Sequence, residues 1–142
     1  MQADRYDRQT RLEGFGQDGQ ARLKEARVLV VGAGGLGVPV SLYLNAMGVG
    51  TLGIADGDVI ETSNLHRQPI YRDADVGKRK IEVLAAHLKG QNPDTQVVLH
   101  PEFLLPSNAL EILEGYEGTI PSSGRCWKTH PGMEGAWRDS FP

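Results

Sequence analysis

A glycine-rich turn is the first feature of this chain that could perform chemistry. Gly32, Gly34 and Gly37 follow the pattern G-x-G-x-x-G, directly after the aliphatic run Val28–Val31. Small residues at this spacing allow a tight turn and let a phosphate approach backbone N–H groups at a helix N-terminus. The pattern therefore predicts a phosphate-binding site, but alone it does not distinguish nicotinamide, flavin and triphosphate ligands.

A carboxylate follows the next apolar run. Asp56 comes directly after Thr51–Ala55, about 20 residues beyond the glycine turn, where dinucleotide-binding folds place an acidic residue that accepts hydrogen bonds from ribose hydroxyls. We therefore expect Asp56 to bind a ribose. Without further motifs, Asp56 and Gly57 would be interpreted as an ordinary turn after a strand.

The polar segment after Asp56 is one that a hydride-transfer enzyme does not require. Asn64 and Arg67 lie on one loop, and Lys80 lies at the start of the next expected helix. Two cations and an amide beside a nucleoside triphosphate suit the charge that builds up at an α-phosphate under attack. This favours nucleotidyl transfer, with a nicotinamide-binding module as the alternative.

Apolar runs and helical periodicities alternate through the middle of the chain. Short aliphatic runs bounded by glycine predict strands buried on both faces of a parallel sheet, and amphipathic stretches predict the helices between them. In chain order we expect strand Val28–Val31, helix Pro39–Met47 ending at Gly48, strand Thr51–Ala55, helix Val76–Lys89, strand Gln96–His100 and helix Asn108–Leu113. The fold class is therefore α/β, a Rossmann-like parallel sheet with right-handed crossovers.

Three regions are expected along the chain. Residues 1–26 form an N-terminal helical arm, residues 27–116 a partial Rossmann-like nucleotide-binding domain, and residues 117–142 an aberrant, disordered tail rich in glycine and proline. The sheet would then be truncated after about three strands, which would leave the first strand as an exposed apolar edge. The predicted buried anchors of the arm are Leu12, Phe15, Ala21 and Leu23.

Composition argues against several functional classes. The 142 residues carry a formal net charge of −3 with both signs mixed, so no basic surface is expected to bind nucleic acid. No apolar run reaches the roughly 18 residues that cross a bilayer, and the N-terminus lacks a signal-peptide pattern. We therefore expect a cytoplasmic protein. The single Cys126 and the four histidines lack metal-ligand spacing, so no metal site built by the protein is expected.

Five motifs together resemble a known family. They are Arg5–Gln9, Val28–Gly37, Asp56–Asp58, Ser63–Gln68 and Asp75–Lys80. In order and spacing they resemble the ThiF/MoeB/HesA family, the prokaryotic relatives of ubiquitin-activating enzymes, over roughly residues 4 to 116. The resemblance implies an adenylyltransferase that uses ATP and Mg²⁺ to activate the C-terminal glycine of a ubiquitin-fold sulfur-carrier protein, in thiamine or molybdopterin biosynthesis.

The resemblance also implies roles for individual residues. The glycine turn would cradle the triphosphate, Asp56 would hold the ribose, and Asn64, Arg67 and Lys80 would contact the phosphates. Arg8 would reach the ATP site of the partner subunit in a homodimer, so that activity would depend on dimerisation. The implied catalytic residues are Arg8, Arg67 and Lys80, and the implied nucleotide-binding residues are Gly32, Gly34, Gly35, Gly37, Asp56, Asp58, Ser63, Asn64, Arg67 and Lys80.

The chain departs from the family pattern after Tyr116. The family's fourth strand ends in a D-G-T-D-N-like turn whose second Asp helps to bind Mg²⁺, and Glu117–Thr119 is only a faint echo of it. The C-x-x-C pairs that hold structural zinc in many members, and a downstream cysteine region, are also absent from the sequence. We therefore expect weak or absent catalysis, and a frameshift or truncation near Glu117. The alternatives are a non-catalytic nucleotide-binding fragment and an NAD-binding Rossmann module.

Overall fold

A computed structural model describes residues 4–122, and the expectations for the later tail, Cys126 included, lie outside this range. Helices and strands alternate after two N-terminal helices, and none of the described helices could cross a membrane. The elements are α1 (Asp7–Thr10), α2 (Gly16–Glu25), β1 (Arg27–Val31), α3 (Gly37–Met47), β2 (Thr51–Ala55), α4 (Lys80–Gln91), β3 (Gln96–His100), α5 (Ala109–Leu113) and β4 (Gly118–Pro121). The predicted α/β class is confirmed, and β2 and β3 have the predicted bounds.

The four strands form one parallel sheet in the order β3-β2-β1-β4. The prediction of a sheet truncated after about three strands is therefore wrong, because β4 pairs with β1 from Val28↔Gly118 to Val31↔Pro121. This pairing is continued beyond the strand, where the Ser122 N–H donates to the Val31 carbonyl at 2.9 Å. Pro121 is tolerated because it ends an edge strand. β1 consequently lies inside the sheet, and its apolar edge is covered.

Two apolar clusters cover the two faces of the sheet. Val30 lies with Leu52 and Ile54 under α3 and α4, in a cluster that includes the buried side chains of Ile81, Leu84 and Leu88. Leu29 and Val31 point to the opposite face, where the second cluster includes Ala55, Leu104, Ala109 and Ile112. Successive side chains of a strand alternate between faces, so a strand buried on both faces must be apolar throughout. This accounts for the aliphatic run that precedes the glycine turn.

Two glycines set helix boundaries that the sequence pattern only partly predicts. Gly48 ends α3 in the left-handed region at φ +88°, as expected for a helix stop. Gly77 also has φ +88°, a conformation that interrupts a right-handed helix. α4 therefore begins at Lys80 and not at Val76. This later start brings Lys80 to the first position of the helix.

The N-terminal arm is held largely by polar contacts. The prediction of buried apolar anchors is wrong for Leu12 and Ala21, whereas Phe15 and Leu23 are half-buried. No residue of α1 or α2 is buried, Leu12 is 60% exposed, and Ala21 is exposed. The Gln9 amide instead donates to the Met47 carbonyl at 2.8 Å. The fully buried Asn92 uses its Nδ2 to donate to Tyr6 Oη and to the Asn45 carbonyl, each at 2.8 Å. Asn92 thus links the arm to the C-terminal ends of α3 and α4.

We expect Asn92→Ala to lower the free energy of unfolding by about 2 to 3 kcal/mol, because it removes two donated hydrogen bonds in a buried position. Tyr6→Phe, which removes one of the two acceptors, should cost about 1 kcal/mol. Urea denaturation followed by circular dichroism measures both values, with Leu110→Ala at an 85% exposed position as the control. An Asn92→Ala chain as stable as the control would contradict this account of the arm.

Candidate functional site

A cavity of about 510 Å³ opens at the carboxyl ends of the four strands. Residues that follow each strand contribute to it, and this crevice is the usual ligand site of an open parallel α/β sheet. Its lining consists of Gly32, Gly34, Gly35, Asp56, Asp58, Val59, Glu61, Asn64, Arg67, Gln68, Lys80, Phe103 and Ser122. The sequence-predicted residues thus converge on one site, with the exceptions of Arg8, Gly37 and Ser63.

The glycine turn presents unused backbone donors to the cavity. The N–H groups of Gly34 and Gly35 donate no hydrogen bond within residues 4–122, and both residues line the cavity. A side chain on Gly37 would overlap the Gly32 carbonyl, so Gly37 serves the close packing of the turn against α3. Free N–H groups before a helix are suited to an anion, and a phosphate fits this part of the site.

The Asp56 carboxylate joins the glycine turn to the loop after β2. Its Oδ2 accepts the Ala33 N–H and its Oδ1 accepts the Asp58 N–H, each at 2.7 Å. The side chain is buried, yet each oxygen keeps acceptor capacity beyond these bonds. Asp56 therefore shapes the site directly, and a ribose hydroxyl would be a further partner.

Tyr71 is a functional neighbour that sequence reasoning missed. Its buried hydroxyl donates to the Ala33 carbonyl at 2.7 Å. Burial, and secondarily the negative charge of Asp56, raises the pKa of Tyr71 well above its ordinary value of 10.0. The phenol therefore remains a donor and holds the Ala33 carbonyl, while Asp56 accepts the Ala33 N–H. A tyrosine in a loop without periodicity gives no sequence signal for this contact.

Lys80 places a buried ammonium group in the wall of the cavity. Its side chain is only 7% exposed, and its Nζ lies 3.4 Å from Asp58 Oδ2. The backbone holds this pair in place, because the Lys80 N–H donates to the Asp58 carbonyl at 3.2 Å. A buried charge requires such compensation. The ammonium group is thus available to an anion without a large movement of the chain.

Asn64 and Arg67 lie on the turn that closes one side of the cavity. The buried Asn64 accepts the Glu61 N–H through its Oδ1 at 3.1 Å. Arg67 is exposed at the rim, and its Nη1 donates to the Ser63 carbonyl at 3.0 Å. Ser63 itself is exposed outside the lining and donates through Oγ to Glu61 Oε2 at 3.3 Å. The loop therefore supplies one buried amide and one exposed guanidinium.

Two lining residues come from segments to which the sequence assigned no role. Phe103 follows β3 and packs its ring against Gly57, where an added Cβ would lie 2.8 Å from Phe103 Cε2. Ser122 follows β4 and donates through Oγ to the carbonyls of Val31 at 2.7 Å and Gly32 at 3.1 Å. The only available signal was their position after a strand, and β4 was not predicted.

Arg8 lies far from the cavity of its own chain. α1 contacts the last residue of α3, through Gln9 and the Met47 carbonyl, whereas the glycine turn precedes the first residue of α3. The 11 residues of α3 span about 16 Å. Arg8 is exposed and contributes nothing to the cavity lining.

The described residues favour a phosphate ligand over a metal built into the protein. Between residues 4 and 122, no group of three or more His, Cys, Asp or Glu side chains could hold a metal ion. The two cations Arg67 and Lys80 and the unused N–H groups are instead complementary to phosphate oxygens.

Curated proteins of known name are similar in sequence to this chain. The chain is 48% identical over 113 residues to "Adenylyltransferase and sulfurtransferase uba4" of Aspergillus niger, covering 80% of this chain and 23% of that protein. It is 50% identical over 120 residues to "Sulfur carrier protein adenylyltransferase" of Thermus thermophilus, covering 84% of this chain and 44% of that protein. The chain thus spans less than half the length of these curated relatives.

A solved structure is also similar to this chain in its fold. The crystal structure of E. coli tRNA N6-threonylcarbamoyladenosine dehydratase, TcdA, in complex with ATP superposes with a TM-score of 0.77 at 29% identity. The superposition covers 84% of this chain and 49% of that one. The ThiF family model matches residues 6–121, which include every described element and the whole cavity lining except Ser122. On these matches and on the geometry of the glycine turn, the chain belongs to the ThiF family.

Proposed function

We propose that this chain is the nucleotide-binding part of an ATP-dependent adenylyltransferase that activates the C-terminal glycine of a ubiquitin-fold sulfur-carrier protein. The main observation in support is that one cavity combines the unused N–H groups of Gly34 and Gly35 with the buried Lys80 ammonium. The name of the Thermus relative, a sulfur carrier protein adenylyltransferase, supports the carrier substrate, and the ATP complex of the TcdA structure supports the nucleotide. The proposed compartment is the cytoplasm.

The proposed reaction transfers AMP to a carboxylate. An oxygen of the carrier's terminal carboxylate bonds to the α-phosphorus of ATP, while the bond from that phosphorus to the bridging oxygen breaks. The products are an acyl adenylate and pyrophosphate. No protein nucleophile is needed, so the rate depends on positioning the reactants and stabilising negative charge.

The residues of this chain divide the binding of ATP among them. The N–H groups of Gly34 and Gly35 would donate to phosphate oxygens, and Lys80 would supply a fixed positive charge close to Asp58. Arg67 starts at the rim on the Ser63 carbonyl and would turn toward the phosphates. Asp56 would accept a ribose hydroxyl while it continues to hold the glycine turn. This division uses only residues that line the cavity.

Arg8 is proposed to act on the site of a second copy of the chain. The arm lies at the opposite end of α3 from the glycine turn, so Arg8 would have to cross about 16 Å to serve its own site. An exposed arginine at this distance can instead meet the phosphates of a neighbouring protomer, as arginine fingers do. A homodimer is therefore part of the proposal.

We propose that this chain transfers the adenylyl group slowly, even though it binds the nucleotide. The sequence contains no acidic residue between Glu117 and Glu134, so no carboxylate follows β4 where the family pattern has its metal-binding Asp. Mg²⁺ would then lack a carboxylate ligand that the family pattern supplies. This same observation favours the second candidate function, a nucleotide-binding protein without adenylyl transfer.

For Arg67→Ala we expect the Kd for ATP to rise at least about tenfold, since one charge-assisted contact is worth about 1.5 to 3 kcal/mol. ATP–pyrophosphate exchange with a carrier that ends in Gly-Gly should be slow in the wild type and undetectable in the variant. Titration with a fluorescent ATP analogue and the exchange assay measure both quantities.

The matched control is Arg22→Ala, which removes an exposed arginine on α2. Equal loss in both variants would contradict the assignment of Arg67. A folded wild-type chain that binds NAD and not ATP would contradict the proposed function as a whole, and exchange as fast as that of a full-length relative would overturn only the proposal of slow catalysis.

The placement of Arg8 predicts complementation between two defective chains. Arg8→Ala and Arg67→Ala should each bind ATP weakly alone. In an equal mixture, half of the dimers are mixed and each has one intact site, so about a quarter of all sites should regain wild-type affinity. Titration of the mixture with ATP counts these sites. Affinities in the mixture that merely average the two separate samples would show that Arg8 does not act across a dimer.

A further inference from the structure

Gln68 carries a buried carboxamide that no described group satisfies. The residue is 3% exposed, its Oε1 is buried without a hydrogen-bond partner, and its side chain makes no hydrogen bond within residues 4–122. It lines the 510 Å³ cavity and also an adjoining apolar groove of about 500 Å³. Only Gly35, Arg67 and Gln68 line both spaces, so the carboxamide lies at their boundary.

The amide end of Gln68 lies beside the unused donors of the glycine turn. A Cβ added to Gly34 would be 3.5 Å from Gln68 Nε2, which places this NH₂ group close to the Gly34 backbone. The N–H groups of Gly34 and Gly35 make no hydrogen bond in the same segment. Three neutral donor groups therefore lie on one side of the cavity, where an anion would accept their hydrogen bonds.

The oxygen of the Gln68 carboxamide is an acceptor, and the preceding residue in the sequence, Arg67, can supply a donor for it. Arg67 has five N–H donors, of which one is used on the Ser63 carbonyl. Arg67 borders the same two spaces as Gln68. Buried polar groups are rarely left unpaired in folded proteins, and an exception beside a cavity calls for a partner that arrives with a ligand.

We infer that Gln68 is a positioning residue of the nucleotide site, an inference that rests on the proposed function. Its NH₂ group donates to a phosphate oxygen held at Gly34, and its oxygen accepts an N–H from the Arg67 guanidinium once that group turns toward the phosphates. The carboxamide then links the phosphate chain to Arg67 and holds both in one geometry. In the empty site the same carboxamide contributes no hydrogen bond to the fold.

Gln68→Met tests the inference because it keeps the size of the side chain and removes both hydrogen-bonding ends. The thermal midpoint of the empty variant should equal or exceed that of the wild type, since an unpaired buried oxygen is replaced by an apolar group. The Kd for an ATP analogue with Mg²⁺ should nevertheless rise about tenfold. Gln68→Glu, which turns a donor into an anion facing phosphates, should raise the Kd further, by about a hundredfold.

Thr95→Val is the matched control. Its Oγ1 is also buried without a partner, but Thr95 precedes β3 and does not line the cavity. This variant should gain stability as Gln68→Met does and bind the analogue with wild-type affinity. Isothermal titration calorimetry and differential scanning calorimetry on the 142-residue chain give both readouts.

The outcomes separate this inference from the proposed function. If the wild type binds the analogue and Gln68→Met binds it equally well, the role of Gln68 is overturned and the proposed function stands. If Gln68→Met fails to fold, the carboxamide is structural and the inference is likewise overturned. If a folded wild-type chain binds no nucleotide, the proposed function fails and the inference falls with it.

Discussion

The site depends first on the Asp56 carboxylate. β1 and β2 are adjacent parallel strands in register from Arg27↔Thr51 to Val31↔Ala55, so the chain leaves the sheet at the same edge from both. Asp56 joins the two departing loops by accepting Ala33 N–H and Asp58 N–H. Hydrogen bonds to a charged group contribute roughly 1.5 to 3 kcal/mol each. This carboxylate therefore ties the glycine turn to the loop that carries the Asp58–Lys80 pair.

The charges of the cavity bear on the proposed roles of Mg²⁺ and of an arginine from a second chain. Three carboxylates line it, those of Asp56, Asp58 and Glu61, against the two cations Arg67 and Lys80, so the formal charge of the lining is −1. A nucleoside triphosphate adds several negative charges to this space. Backbone N–H groups offset part of that charge through their dipoles. The remainder is consistent with a divalent ion carried by the nucleotide and with an arginine from a second chain.

The sequence was most informative where local pattern and tertiary role coincide. β2 and the glycine turn combine glycines with aliphatic runs, and β3 follows the turn residues Asn92–Asp94. These features act over a few residues. β4 could not be recognised this way, because Ile120 is its only aliphatic side chain and its hydrogen bonds come from β1. The prediction for the arm was wrong for the opposite reason. It assigned the attachment of the arm to buried apolar side chains, whereas a hydrogen bond between Asn92 and Tyr6 provides part of that attachment.

The same distinction applies to the site. Asn64, Arg67 and Lys80 belong to motifs that can be read along the chain. Phe103 and Ser122 reach the cavity only because the sheet brings the ends of separate strands together, and Tyr71 contacts the glycine turn only in the folded chain. Gln68 was part of a recognised motif, but its burial and its unpaired oxygen are properties of the folded chain. A motif therefore identifies candidate site residues, and only the fold shows which of their polar groups lack a hydrogen-bond partner.

The presence of β4 separates nucleotide binding from the chemical step. With β4 beside β1, the crevice has walls on both sides, and Ser122 already holds the carbonyls of Val31 and Gly32. The groups proposed to bind phosphate and ribose all lie before residue 81. What the sequence lacks is a carboxylate directly after β4, where the family pattern has an Asp that would help to hold Mg²⁺ and so stabilise the negative charge that develops during transfer. Since interactions made only in the transition state raise the rate without changing ground-state affinity, a chain of this composition can retain ATP binding while its rate of adenylyl transfer falls.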